Sequence, residues 1–325
     1  MGEKLLLQVE NLHTYFYTLQ GVIKAIDGVN LCVREGEILG LVGESGCGKS
    51  VTALSILGLV PSPPGRVEGG RILFEGEDLL AKTPAEMRSI RGSRIAMIFQ
   101  EPMSSLNPVF RIGDQMIEVI KLHKKVSTGS ARIQALEMLH EVRMPDPEAV
   151  LAKYPFQLSG GMLQRVMIAI ALSCEPSLLL ADEPTTALDV TVQAQILNLM
   201  KDLIRKRNAA VLLITHALGV VAQTCDAVSV MYAGTAVESG SVESIFRSPA
   251  HPYTRGLMEC IPDPSRKSGK LKIIPGTVPD PVNPPPGCRF HPRCYKATAT
   301  CSQIRPDPVR VGPDHVVCCH YPEEG

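Results

Sequence analysis

Residues Gly43, Glu44, Ser45, Gly46, Cys47, Gly48, Lys49 and Ser50 spell GxxxxGKS, the densest chemistry in the chain. Glycines let a backbone wrap closely around a phosphate and present N–H groups to it. Lys49 can reach the β and γ phosphates, and Ser50 can coordinate Mg²⁺. A helix that opens at this point, running on through Val51, adds its positive end. ATP or GTP binding follows from the motif, but hydrolysis needs a second, acidic site. The run Leu178-Leu179-Leu180-Ala181-Asp182-Glu183 supplies it: Asp182, at the end of an apolar strand, can hold the Mg²⁺ shell through water, and Glu183 can face a water in line with the γ phosphate.

The elements that must position these groups can be read from apolar periodicity. Glu37–Val42 and Ile95–Phe99 read as strands, with Ile72–Phe74 a third; Val51–Leu59 reads as a helix stopped before Pro61. From Ile112 the pattern turns helical. Ile112, Met116, Val119 and Ile120 give one face, and Arg132, Leu136, Leu139 and Val142 suggest another, so residues 101–170 are expected to form a helical insertion. Leu178–Ala181, Ala210–Thr215 and Ala227–Met231 read as further strands, separated by helices at Val190–Arg207 and Leu218–Thr224. Strands alternating with helices predict an α/β fold around a largely parallel sheet covered on both faces.

Composition limits the function classes. The 325 residues carry 33 basic and 33 acidic side chains, 45% hydrophobic and 20% charged, an ordinary globular balance that argues against a general polybasic nucleic-acid surface. No apolar run of spanning length and no export signal is visible, so neither a membrane span nor secretion is expected. Twelve prolines fall in residues 1–250 and fourteen in 251–325, which places a boundary near Pro249. The tail also holds six of the ten cysteines. In a chain read as non-secreted, such clustering favours metal or cluster ligation over disulfides.

Leu158-Ser159-Gly160-Gly161-Met162-Leu163-Gln164-Arg165 resembles the signature motif of ATP-binding cassette (ABC) ATPases. Gln100 stands where that family has its Q-loop, Ala187-Leu188-Asp189 where it has its D-loop, and His216 where it has its switch histidine. The resemblance implies an ABC-ATPase nucleotide-binding domain over residues 1–250, with cassettes paired head to tail. Lys49 and Ser50 would hold one ATP, while Ser159, Gly160 and Gly161 close over the partner's. It further implies that Gln100 ligates Mg²⁺ and senses the γ phosphate, that His216 orients the attacking water, and that an N-terminal aromatic, best matched by Phe16 between Tyr15 and Tyr17, stacks on adenine.

Nearly the whole chain is similar to the ATP-binding subunits of dipeptide, oligopeptide and nickel importers. The segments VGESGCGKS (42–50), FQEPMSSLNP (99–108), ADEPTTALDV (181–190), MYAG (231–234), HPYT (251–254) and GCRFHPRC (287–294) carry the similarity. It implies a subunit at the cytoplasmic face of the membrane, working with two permeases, a second and paralogous cassette and an extracellular solute-binding protein. Peptide is the expected cargo, with a nickel chelate or an oligosaccharide as alternatives, and a nucleic-acid or ribosome clamp as the rival outside transport. For the tail, 251–325, the resemblance implies ligation by Cys288, Cys294, Cys301 and Cys319, the last chosen over Cys318 because it precedes His320. Four thiolates suit a [4Fe–4S] cluster or Zn²⁺, with free thiols or an occasional disulfide as the remaining alternative. Departures are Ala217 in place of the Asp usual after the switch histidine, Leu163 at a commonly polar signature position, and Cys47 at a position usually Ser.

Overall fold

Long strands that bury one face begin the chain. In this computed structural model, which describes residues 4–186, 188–260 and 273–323, Leu5–Thr18 and Gly21–Arg34 are 14-residue strands. The sequence pattern puts the first strand only at Glu37. What hides the earlier one is a bulge: the register with Gly65–Phe74 shifts between Glu10 and His13, where Asn11 takes a left-handed conformation (φ 45°). An inserted residue breaks the period of two on which strand recognition rests.

The chain packs as two compact units, one of Met1–Leu6, Arg34–Glu37 and Ala81–Leu213, the other of Leu7–Val33, Ile38–Leu80 and Ile214–Gly325. In the first unit the strand Ile95–Ile98 lies parallel to Leu178–Asp182, with Ile98 opposite Ala181, and Ala210–Ile214 flanks the other side of Leu178–Asp182. All five residues of Leu178–Asp182 are buried. Each leucine there contributes about 1.5–3 kcal/mol of burial. The expected helical insertion consists of Pro102–Ser105, Ile112–Lys124, Thr128–Glu141, Pro147–Ala152 and Gly160–Leu172. Ile112, Met116 and Ile120 are buried as expected. The second face differs from the expected one: Ala131, Ala135, Met138, Leu139 and Val142 are buried, whereas Arg132 is exposed and paired with Glu148. The alanines, too small to register as core by hydropathy, set the true stripe.

The second unit contains a sheet ordered Gly21–Arg34, Leu5–Thr18, Gly65–Phe74, Glu77–Asp78, antiparallel wherever Gly65–Phe74 pairs. A second set of strands has Ile38–Val42 parallel to Ala227–Tyr232, so that Val42 sits opposite Val230. Thr235–Ser241, His315–Val317 and Val309–Gly312 then follow in antiparallel order. The strands are therefore mixed: the parallel expectation holds for Ile38–Val42 with Ala227–Tyr232 and for Ile95–Ile98 with Leu178–Asp182, while Thr235–Ser241, His315–Val317 and Val309–Gly312 pair antiparallel. The described part of the proline-rich tail from residue 273 onward belongs to the same compact unit as the phosphate loop. Buried Glu238 ties this tail in, accepting from the backbone of Ala250 (2.6 Å) and His251 (2.9 Å) and facing Nε2 of His315 at 2.6 Å. Among the described residues no helix is long and apolar enough to cross a membrane.

Candidate functional site

The loop Gly43–Gly48 joins the buried strand Ile38–Val42 to the helix Lys49–Ile56. Gly43, Gly46 and Gly48 all have positive φ (153°, 78° and 103°), conformations that side-chain-bearing residues adopt at a cost. Lys49 is buried, and its Nζ donates to the carbonyls of Gly43 (2.9 Å) and Glu44 (3.1 Å), holding the loop in a closed ring. Ser45 and Gly46 form the exposed tip, while Ser50 and Val51 are half-buried at the helix start. Gly48 caps that helix without a side-chain oxygen, a place a bound phosphate can fill. Cys47 is buried, and burial pushes its thiol pKa up. It serves as a small core residue here, which accounts for its standing in for Ser.

The three aromatic candidates separate by strand face. Tyr15 donates its hydroxyl to Asp27 (2.8 Å) and Tyr17 donates to Glu68 (2.8 Å). Phe16 lies on the opposite face, shared with Thr14, whose Oγ1 meets Ser55 of the phosphate-loop helix at 2.9 Å. Of the three rings, Phe16 is thus the one on the side of that helix.

In the first unit, Glu183 follows the buried Asp182 at a strand end and adopts a left-handed backbone (φ 45°). Such strain in a residue with a Cβ marks functional positions. Its carboxylate accepts from Nε2 of Gln100 (3.1 Å) and from the Thr186 hydroxyl (2.8 Å), so the structure brings together two residues singled out separately in the sequence. Ser159 caps the helix Gly160–Leu172 and accepts from Met162 N–H at 3.4 Å. Ser159 and Gly160 are exposed. Leu163, the unusual signature residue, is buried beneath them, which explains its apolar character. Within the D-loop, Ala187 lies outside the described residues; Asp189 caps the helix Val190–Arg207.

His216, in the second unit, is exposed just beyond the strand Ala210–Ile214. Ala217 occupies the N-cap of the helix Leu218–Thr224 and offers no side-chain cap; its own N–H donates instead to Thr215 Oγ1 at 3.0 Å.

The tail brings its cysteines together. Cys288, Cys294, Cys301 and Cys319 line one small cavity with His251, His291 and His320. Cys288 N–H donates to the Cys301 carbonyl at 2.8 Å. Burial, together with the other three thiols, pushes the Cys319 pKa up to about 11. Cys318 lines a different cavity, as extended backbone requires of adjacent residues. His291 and His320 face backbone carbonyls of Cys288 and Ile304. Among the described residues, however, no group of three or more His, Cys, Asp or Glu side chains is arranged as a metal site.

Sequence reasoning assigned no role to Tyr253, Arg289 or Arg293, although HPYT and GCRFHPRC contain them. Tyr253 packs at 4.6 Å from the Tyr232 ring and 5.3 Å from Phe290, and its hydroxyl accepts from Glu44 N–H at 2.9 Å. Arg289 meets Asp27 at 2.5 Å, and Arg293 meets Glu44 at 2.7 Å. The motifs flagged the segment, but only the folded chain reveals these partners.

Comparison with known proteins gives a consistent result. The ABC transporter family matches residues 26–186, and the oligopeptide/dipeptide transporter C-terminal region matches residues 237–301. The chain is 52% identical over 316 residues to a probable peptide ABC transporter ATP-binding protein of Sinorhizobium fredii, covering 97% of this chain and 94% of that one. It is 52% identical over 321 residues to an oligopeptide transport ATP-binding protein of Bacillus subtilis, covering 98% of each. It is 49% identical over 319 residues to a probable D,D-dipeptide transport ATP-binding protein of Escherichia coli, covering 98% of this chain and 97% of that one. Among solved structures, a dimeric ATP-binding cassette in a post-hydrolysis state bound to ADP and Pi matches with a TM-score of 0.65 at 26% identity, covering 73% of this chain and 98% of that one.

Proposed function

The chain belongs to the ABC transporter family as an ATP-binding subunit of a peptide importer, and from that membership we propose how its residues divide the work. It hydrolyses ATP to power peptide uptake. The phosphate loop, Gly43 to Val51, receives the triphosphate, with Lys49 as the cation facing the terminal phosphates. Phe16 supplies the adenine platform. Ser50, Gln100 and, through water, Asp182 would hold Mg²⁺, which supplies charge neutralisation at the phosphates. Glu183 polarises the attacking water, and His216 orients it. Ser159, Gly160 and Gly161 serve the ATP of a second, paralogous cassette, and the helical insertion meets the permeases. Two permeases and an extracellular solute-binding protein complete the assembly, which places this subunit at the cytoplasmic face of the membrane.

One observation carries the hydrolytic reading: Glu183, in a strained conformation at a buried strand end, shares its carboxylate with Gln100. Glu183→Gln is expected to keep nucleotide binding while lowering steady-state hydrolysis in the assembled transporter by about 10²-fold or more. Hydrolysis within about threefold of wild type would assign the base to another residue.

For the tail, the four cysteines are the donors we assign to a [4Fe–4S] cluster, with Zn²⁺ as the alternative. The donor set supports this, since four thiols sharing one cavity, Cys301 buried and the other three half-buried, cannot all ionise without a cation among them. So does His251, completely buried beside them, whose Nε2 has no partner among the described residues while its Nδ1 accepts from Tyr253 N–H. A bound cluster supplies a cross-link to a segment poor in backbone ladders. Anaerobically purified protein should hold about four irons and four acid-labile sulfides per chain, and Cys294→Ser should lose both and open the tail to protease. Zinc at one per chain would select the alternative; neither metal, with a protease-resistant tail, would reject both.

A further inference from the structure

Glu44 is the only acidic residue of the phosphate loop, and it does not face solvent alone. Its carboxylate receives two N–H groups of Arg293, at 2.7 Å and 3.1 Å, in the parallel fork that makes arginine–carboxylate pairs specific. The Arg293 side chain is 5% exposed. Its remaining donors reach the Pro275 carbonyl (2.9 Å), the Ile274 carbonyl (3.3 Å) and the Tyr232 hydroxyl (3.2 Å). The guanidinium carbon lies 5.7 Å from the Tyr232 ring centroid and 5.9 Å from that of Phe290. The backbone of Glu44 is held from the same side by Tyr253. One residue of the loop is therefore gripped through both its side chain and its N–H by residues more than two hundred positions away.

Two consequences for an anion-binding loop follow from elementary electrostatics. A carboxylate within the loop repels a triphosphate unless it is neutralised, and a loop that must order itself on binding loses affinity to that ordering. Arg293 addresses both. We propose that Arg293 is a positioning residue for nucleotide binding, holding the phosphate loop through Glu44 and cancelling its one negative charge, so that ATP affinity depends on the C-terminal segment. The inference rests on the phosphate loop being the nucleotide site.

The test uses the full-length chain, with binding of a fluorescent ATP analogue as the readout and the KM for ATP measured in the assembled transporter. Arg293→Met is expected to weaken nucleotide binding by about tenfold, with the effect falling on KM more than on kcat. Arg293→Lys should fall between, because it keeps the charge but loses the fork. Adding Glu44→Gln to Arg293→Met should recover the part of the loss that comes from the uncompensated carboxylate, while the part that comes from the lost fork remains. General disorder of the tail would not be repaired by that second change. Nucleotide affinity of Arg293→Met within twofold of wild type, or a double variant no better than the single one, would overturn the proposal. Lys49→Ala separates it from its premise: if that variant also binds normally, the phosphate-loop reading itself fails.

Discussion

The phosphate loop and the C-terminal segment are both irregular stretches in the same unit, yet they are held in opposite ways. The loop's own lysine closes it across five and six residues of chain, onto Glu44 and Gly43. The segment is held across 249 residues by Arg293 and Glu44, 262 by Arg289 and Asp27, and 77 by His315 and Glu238. Local geometry sets the backbone path of the first, to which Arg293 and Tyr253 add a hold on Glu44, whereas distant polar pairs anchor the second. A region of the first kind fails when its backbone is disturbed. One of the second kind fails when a partner elsewhere in the chain is removed.

The largest effect that tests this contrast lies within the loop. A Cβ on Gly48 would stand 2.4 Å from the Ala25 carbonyl oxygen, whereas a Cβ on Gly46 would meet nothing within 4 Å. Both residues have positive φ, so each alanine variant carries about 1–2 kcal/mol of conformational strain, and Gly48→Ala adds a backbone clash to it. Gly48→Ala is expected to lower the melting temperature well beyond Gly46→Ala. Gly46→Ala should instead show a modest thermal loss but a marked drop in ATP affinity, because the space its methyl takes lies at the exposed tip of the loop. Equal melting temperatures for the two would mean the loop relaxes freely, and its local character would be refuted.

The same contrast explains what could be read in advance. GxxxxGKS between an apolar strand and a helix encodes its own geometry, and Val190–Arg207 and Leu218–Thr224 appear with the expected bounds because their periodicity is local. Ser159 as a cap was legible for the same reason. The first strand was not, since the bulge at Asn11 breaks its alternation. Nor was the face carrying Ala131 and Ala135. Asp27 and Glu238 looked like ordinary acidic residues, and Glu44 only like a member of the phosphate loop: which arginine or histidine arrives to meet them is decided by the tertiary fold, and no spacing records it.

The smallest expected effect concerns Asp27, a junction of the second kind. Burial pushes its carboxyl pKa upward, but the Tyr15 hydroxyl, Arg289, Arg305 and His13 outweigh that and hold it below the ordinary carboxylate value. The folded protein therefore binds this proton less readily than the unfolded chain. Stability from the junction is complete above the ordinary carboxylate pKa, and it drains away as the pH falls through that value and through the lower folded one. Asp27→Asn should cost about 1–3 kcal/mol near neutral pH, by leaving the buried Arg289 without its carboxylate. It should also flatten the acid limb. Urea midpoints measured from pH 7 down to pH 3 are thus expected to start apart and converge, the wild type falling more steeply. Parallel curves would mean that Asp27 titrates alike in both states, and the junction would then owe its strength to packing of the Arg289 stem rather than to charge.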